Sequence, residues 1–192
     1  MRKIFLWAVL VAAPLITAVP AVAGPMTYKE IVTTSGSLNG AAFTDALTTI
    51  TAVSFGSITH TSVYFVSAIG SFDIAGIGGG SFVSPLQVFN NQATNRAGIG
   101  DPSVFRDIFN TENAAFATYD LSTPITVSGT TRFNSGFEFA TDAGLLIFTA
   151  VSNSTFSAED TQSVPEPSTW ALFLSMLGFF SFLIRRTRFQ RA

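Results

Sequence analysis

The sequence has no cysteine, a single histidine and few charged residues, which make up 11% of its 192 positions. Without cysteine the chain cannot form a disulfide framework, a thiolate nucleophile or a cysteine-ligated zinc site. The one histidine, His60, cannot build a site of two or three histidines, and no Gly-x-Ser-x-Gly motif supplies a serine for it to activate. We therefore expect a fold that rests on packing alone, and a protein that is not an enzyme and has no metal and no cofactor.

Positive charge is scarce between the two ends of the chain. Residues 24–163 hold four cations against eleven carboxylates, a formal net charge of −7. Nucleic-acid binders need a stripe of lysine and arginine, and anionic lipid head groups attract basic surfaces. This acidic body argues against nucleic acid as a partner and against adhesion to anionic lipid.

The N-terminus has the three parts of a secretory signal peptide. Met1 is followed by two basic residues, then by an apolar run over residues 4–19, and then by Ala21-Val22-Ala23. Signal peptidase accepts this pattern of small residues at positions Ala21 and Ala23. The sequence therefore predicts a signal peptide over residues 1–23 and a mature chain that begins at Gly24.

The C-terminus carries a second apolar segment between a proline-rich triplet and a basic tail. Pro165-Glu166-Pro167 precedes an uncharged run over residues 170–184, and four arginines follow in residues 185–192, namely Arg185, Arg186, Arg188 and Arg191. As a helix the run covers about 22 Å, which spans a hydrocarbon core of about 30 Å only with help from flanking residues. Since the signal peptide sends the body outward, the positive-inside rule places the arginines in the cytoplasm.

The triplet, the apolar helix and the terminal arginine cluster together resemble the PEP-CTERM sorting signal, here over residues 164–192. The resemblance implies recognition by an exosortase, removal of the helix near the triplet, and a transient inner-membrane intermediate with the ectodomain outside. It also implies final placement at the cell surface or in the extracellular matrix of a polysaccharide-producing Gram-negative bacterium. A permanent one-pass anchor remains an alternative.

The ectodomain, residues 24–163, alternates apolar and polar residues in short blocks separated by turn residues, which is typical of β-strands. The predicted strands are residues 28–34, 42–55, 59–67, 71–75, 81–90, 115–121, 130–139 and 145–156, the last of them central in its sheet, and the one helix candidate is 102–113. Predicted turns are at Ser35-Gly36, Asn39-Gly40, residues 76–80, Asp101-Pro102 and residues 142–144. This pattern favours an all-β, single-domain β-sandwich or jelly-roll-like ectodomain over a closed barrel.

Three kinds of binding candidate remain in the ectodomain. The glycine run 76–80 lacks the residues of a nucleotide loop and is predicted to be a flexible hairpin. Carboxylates that could form a glycosidase pair or a calcium site, although none has calcium-loop spacing, are Asp45, Asp73, Asp101, Asp107, Glu112, Asp120, Glu138 and Asp142. For stacking on sugar rings the only candidates we name are Tyr64 and Tyr119.

The leading hypothesis is a non-enzymatic, exported protein that acts as a structural or binding component of an exopolysaccharide or biofilm matrix. Its expected partners are signal peptidase, an exosortase, the inner membrane through the C-terminal helix, and extracellular polysaccharide. The alternatives are a secreted hydrolase that acts on polysaccharide and a permanently membrane-anchored surface protein.

Overall fold

The computed structural model describes residues 25–161, and most of this part of the chain forms β-strands. The strands are β1 (Met26–Leu38), β2 (Ala41–Ser54), β3 (Thr59–His60), β4 (Tyr64–Ile74), β5 (Gly78–Ser81), β6 (Leu86–Asn91), β7 (Arg96–Asp101), β8 (Arg106–Glu112), β9 (Ile125–Phe133), β10 (Glu138–Thr141) and β11 (Gly144–Asp160). Two short 3₁₀ helices, Gln92–Thr94 and Ala114–Ala117, account for the helical residues within these limits. The predicted all-β class is confirmed.

Eight of the strands form one closed antiparallel sheet. Their order around the ring is β1, β2, β4, β6, β7, β8, β9 and β11, and β11 returns to pair with β1 from Met26↔Asp160 to Leu38↔Leu146. The predicted sandwich or jelly roll is not confirmed, because these strands join a single barrel rather than two packed sheets. Inward and outward side chains alternate in both architectures, so the pattern that predicted the strands does not distinguish them.

At one end the sheet divides, because two long strands change neighbours along their length. β4 pairs with β6 over Tyr64–Ala68 and with β5 over Ser71–Ile74, and β11 changes in the same way from β10 to β9. An isolated bridge between Phe82 and Thr141 then links the β5 and β10 sides. The predicted central position of the last strand is confirmed, since β11 is paired along both edges.

Turn residues set the hairpins much as the sequence predicts. Asn39 and Gly40, with φ of +49° and +82°, form a two-residue turn between the paired Leu38 and Ala41, which is the conformation that favours Asn-Gly in hairpins. The turns predicted at residues 101–102 and 142–144 are also present, whereas the glycine run 76–80 belongs to a turn only up to residue 77 and continues as β5 from Gly78. The turn predicted at Ser35-Gly36 is wrong, because both residues lie inside β1 at a register shift.

The helix predicted over residues 102–113 is wrong. Residues 102–105 form a turn, and the rest belongs mainly to β8. A register shift between Ile99 and Gly100 places Asp107 opposite Gly100 and Phe109 opposite Ile99, so that Ile108 and Phe109 are both buried. Two consecutive buried residues are unusual for a strand but common on a helix, and this bulge explains the misleading pattern.

Two other strand predictions are wrong in part. Residues 130–139 do not form one strand, because the chain turns at Gly136, beside which Phe137 is exposed, whereas Phe139 is buried. Residues 115–121 form a 3₁₀ helix and an irregular segment, since the side chain of Asn113 accepts a hydrogen bond from the Ala115 N–H and starts the turn. Polar-apolar alternation in these segments is thus not sufficient for strand pairing.

The irregular segment between β8 and β9 closes the end of the barrel at which Met26 and Asp160 pair. Phe116 and Leu121 are fully buried there, and the Tyr28 hydroxyl donates to the Leu121 carbonyl at 2.7 Å. The Asn90 Nδ2 donates to the carbonyls of Phe116 and Tyr119 at 3.0 and 2.6 Å. We call residues 114–124 the plug. Above it the interior is filled by aromatic and aliphatic side chains, as expected for a barrel of this size.

Across residues 25–161, no helix combines the length and the apolar character needed to cross a bilayer. The predicted signal peptide, residues 1–23, and the predicted sorting segment, residues 164–192, lie outside the described residues. The proposed boundaries of the three regions therefore stay predictions.

Candidate functional site

The two tyrosines predicted as sugar-stacking residues occupy different environments. Tyr64 is half-buried and stacks on the exposed His60, with ring centroids 4.0 Å apart and planes at 14°. Tyr119 is 5% exposed in the plug, and its hydroxyl donates to the Thr123 carbonyl at 3.1 Å. One face of Tyr64 is thus taken up by His60, and Tyr119 is part of the core.

Most of the candidate carboxylates have local structural partners. Glu112 forms ion pairs with Arg96 at 3.0 Å and Arg132 at 3.3 Å, and the Arg96 hydrogen bond lowers its pKa. Asp120 accepts from the backbone and side chain of Ser122, and Asp142 accepts from the Ser81 N–H. Among residues 25–161, no three metal-ligating side chains come together.

Two of the predicted acids do meet, on the outer wall of the barrel. Asp101 and Asp107 line a groove of about 320 Å³ beside the hairpin that joins β7 and β8. Gln87 and Phe89 of β6 form its other side, and Gly100 lies between them. Pro102, Phe105 and Arg106 complete the lining. We call this the β6–β8 groove.

The alternation of β6, β7 and β8 explains how the groove forms. Val88 and Ile99 are fully buried, so the residues next to them on β6 and β7 face outward. On that outer face β7 presents Gly98 and Gly100, which have no side chains. A Cβ on Gly98 would lie 2.5 Å from the Asn110 Cβ, so only glycine permits this close approach. The outer surface is therefore depressed along β7 and flanked by side chains from both neighbouring strands.

Two carboxyl groups supply hydrogen-bond acceptors to the groove, Asp107 from β8 and Asp101 from the end of β7. The Asn110 Nδ2 donates to the Asp107 Oδ2 at 3.0 Å, while the Asn110 Oδ1 is buried without a hydrogen-bond partner. Burial raises the pKa of Asp107, and the Asn110 hydrogen bond and the charge of Arg96 oppose this effect. Asp101 is 3% exposed, and its Oδ1 accepts from the N–H and hydroxyl of Ser103.

The mouth of the groove holds an exposed aromatic ring and a restrained cation. Phe105 is 85% exposed and has a φ of +55°, a conformation that costs a bulky residue energy. The Arg106 guanidinium carbon lies 4.4 Å from the centroid of the Phe137 ring, and its Nη1 donates to the Phe105 carbonyl at 3.0 Å. Arg106 is therefore held in place on one side of the groove.

A second polar site, inside the barrel, centres on Glu30. This side chain is fully buried, and its Oε1 accepts from the Thr111 hydroxyl at 2.7 Å, which in turn lies 2.6 Å from the Ser154 hydroxyl. The Glu30 Oε2 has no partner. Burial is the main cause that raises the pKa of Glu30 from 4.5 to about 8. Glu30 was not among the carboxylates predicted as site residues, although alternation places it on the same face as Tyr28 and Val32.

The comparisons with known proteins concern the C-terminal end. A family model described as the PEP-CTERM protein-sorting motif matches residues 163–188. The match includes Pro165, Glu166 and Pro167, and of the four arginines it includes Arg185, Arg186 and Arg188. No curated protein and no solved structure matches the chain.

The predicted resemblance is thus confirmed over the segment that carries it. Such a motif directs a protein to an exosortase, and it indicates export to the envelope of a Gram-negative cell. The predicted signal peptidase site at Ala21 and Ala23, and Arg191, lie outside both the match and the described residues. The chain therefore carries a PEP-CTERM protein-sorting motif at residues 163–188, which implies that it is exported and targeted to an exosortase.

Proposed function

We propose that the barrel is a non-enzymatic binding component of an extracellular polysaccharide matrix, to which the sorting motif delivers it. The observation that carries the binding role is the β6–β8 groove, which combines aromatic side chains with carboxylate and amide acceptors on a concave surface. Ligand sites generally have this composition, a largely apolar lining with a few placed polar groups. Its volume of about 320 Å³ suits a small ligand or one unit of a polymer.

The orientation of the barrel supports this role. Met26 and Asp160 pair at the plug end, whereas the groove lies beside the β7–β8 hairpin near the other end of the wall. While the C-terminal segment is held in a membrane, the plug end is the nearer one. The groove then lies towards the end of the barrel that is farther from the membrane.

The non-enzymatic role is also favoured by the engagement of the acids in the groove. Asp101 holds the turn of the β7–β8 hairpin through its two bonds to Ser103, a local turn motif that explains its position without chemistry. Asp107 is bound by Asn110.

A matrix component of this kind should remain with the insoluble polysaccharide after cells are removed, and should be released when the polymer is digested. Recovery of the protein in the polymer-free fraction would contradict the matrix role.

A secreted polysaccharide hydrolase is the second candidate, because two carboxyl residues line one groove. A general acid needs a raised pKa, and burial gives Asp107 a shift in that direction. The discriminating measurement is the release of reducing ends from purified matrix polysaccharide by wild type and by Asp107→Asn. Release by wild type that the variant abolishes would replace the binding role with catalysis.

Processing of the C-terminal tail is expected to depend on the P-E-P triplet. The orientation of the tail in the membrane is expected to depend on the arginines. Glu166→Ala should leave insertion intact and slow tail loss, whereas replacing Arg185, Arg186, Arg188 and Arg191 should loosen the orientation set by the positive-inside rule. An epitope tag after Ala192, followed in a host with the cognate exosortase, measures both effects.

The control for this experiment is the same host without the exosortase, in which every variant should keep its tag. If wild type keeps its tag when the exosortase is present, or if Glu166→Ala loses it as fast as wild type, the processing role fails. The protein would then be a permanently anchored surface protein.

A further inference from the structure

The hydrogen-bonding groups of the β6–β8 groove favour a ligand that brings donors. The Asp107 carboxylate faces the groove floor, since a Cβ on Gly100 would lie 3.3 Å from its Oδ1. Its Oδ2 accepts one hydrogen bond, from the Asn110 Nδ2 at 3.0 Å. A carboxylate has about four acceptor sites, so Asp107 can still accept from a hydroxyl donor of a ligand.

The apolar groups of the groove offer surface to a ligand with C–H faces. Phe89 lies on the outer face of β6 opposite Gly98, so no side chain of β7 covers it from that position. Phe105 projects at the mouth with 85% of its surface exposed. A ligand with hydroxyl donors at its rim and an apolar face fits both sets of groups, and a sugar ring has this combination.

Charge decides which class of sugar polymer the groove accepts. Two carboxyl residues line it, and Arg106 is the one cation in the lining, already held by Phe137 and by the Phe105 carbonyl. The surrounding domain has a formal charge of −7 over residues 24–163, which repels polyanions at long range. The carboxylates of the groove and the net negative charge of the domain both weaken the binding of uronic-acid polymers, and neither affects neutral polymers.

We propose that the β6–β8 groove binds a neutral sugar unit of a polysaccharide, packed against Phe89 and Phe105, with a hydroxyl that donates to Asp107. This inference rests on the proposed matrix-binding function and narrows its ligand class. The groove is distinct from the tyrosines that the sequence suggested, because Tyr119 is buried and Tyr64 stacks on His60.

The test uses the full-length chain in mild detergent, immobilised through a C-terminal tag. Soluble galactomannan, xyloglucan and dextran are the neutral probes, and alginate and polygalacturonate are the anionic ones. Wild type should bind at least one neutral polymer and neither anionic one at low salt. Phe89→Ala and Asp107→Asn should each weaken that binding about tenfold or more, the loss expected for one good contact.

Matched controls come from the outer face of β4. Ile69 is 68% exposed and Asp73 is also exposed, and neither lines the groove, so Ile69→Ala and Asp73→Asn should bind like wild type. Thermal unfolding of every variant identifies a binding loss that is due to unfolding. If a groove variant proves to be unfolded, Phe105→Ala at the exposed mouth is used in its place to test the groove.

Three outcomes would overturn the inference. These are equal or stronger binding of the anionic polymers, equal losses in the groove and β4 variants, and failure to bind any of the neutral polymers. In the last case, co-fractionation of the protein with the matrix would leave the proposed function standing and remove only the ligand assignment. If the protein neither binds a neutral polymer nor co-fractionates with the matrix, both the ligand assignment and the proposed matrix-binding function fail.

Discussion

Replacing Glu30 by glutamine is expected to stabilise the barrel at neutral and alkaline pH and to remove most of its pH dependence. The folded protein holds this carboxyl fully buried with a pKa of about 8, against an ordinary value of 4.5. Its contribution to stability is therefore fully present below about pH 4.5 and is lost as the pH rises to about 8. Relative to its value below pH 4.5, the free energy of unfolding is expected to be lower by about 5 kcal/mol above pH 8 and by about 3 kcal/mol at pH 7.

Glutamine keeps the acceptor for the Thr111 hydroxyl and has the shape of the protonated acid, so Glu30→Gln should match wild type near pH 4.5. Urea unfolding between pH 4.5 and 9 measures the difference. The control is Glu159→Gln, whose exposed ion pair with Lys29 at 3.1 Å should be worth less than about 1 kcal/mol. A Glu30→Gln protein that loses stability with pH as steeply as wild type would contradict the buried-acid explanation.

Truncating Phe156 to alanine is expected to cost about 3 to 5 kcal/mol of the free energy of unfolding. Phe156 is fully buried on β11, and its ring centroid lies 5.6 Å from that of Phe116 and 6.3 Å from that of Tyr119. A third contact, at 6.1 Å, joins it to Tyr28 of β1. The side chain therefore packs the plug against the barrel wall, and its removal leaves a cavity between them.

Chemical denaturation of Phe156→Ala gives this cost directly. Phe105→Ala is a suitable control, because the same residue type is 85% exposed and its removal should change stability by less than about 0.5 kcal/mol. A similar loss in both variants, or a loss below about 1 kcal/mol in Phe156→Ala, would show that the plug does not depend on this contact.

Local features of the fold could be predicted from the sequence, and the closure of the sheet could not. The Asn39-Gly40 turn and the strands on either side follow from nearby residues and agree with the structure. The barrel instead depends on pairing β1 with β11, such as Met26 with Asp160, across almost the whole described chain. No local pattern reports that pairing, and a sandwich would use the same alternation.

The candidate site was partly visible in the sequence for a similar reason. Asp101 and Asp107 were among the acids considered, and the turn at Asp101-Pro102 was predicted correctly. The groove also needs Gly98 and Gly100 to face outward between Phe89 and β8, which depends on the register of three strands and on the bulge. Helical periodicity across residues 102–113 concealed that arrangement.

The pairing of β1 with β11 also sets the order in which the exported chain can fold. The hydrogen bond from the Thr161 N–H to the Pro25 carbonyl, at 3.1 Å, places the first and last described residues side by side. A chain that crosses a membrane from its N-terminus delivers β1 first and β11 last, so the barrel cannot close until translocation of the domain is nearly complete. Only four residues separate Asp160 from Pro165. The final strand is therefore the last part of the barrel to become available for pairing, and the edge of β1 stays open until then.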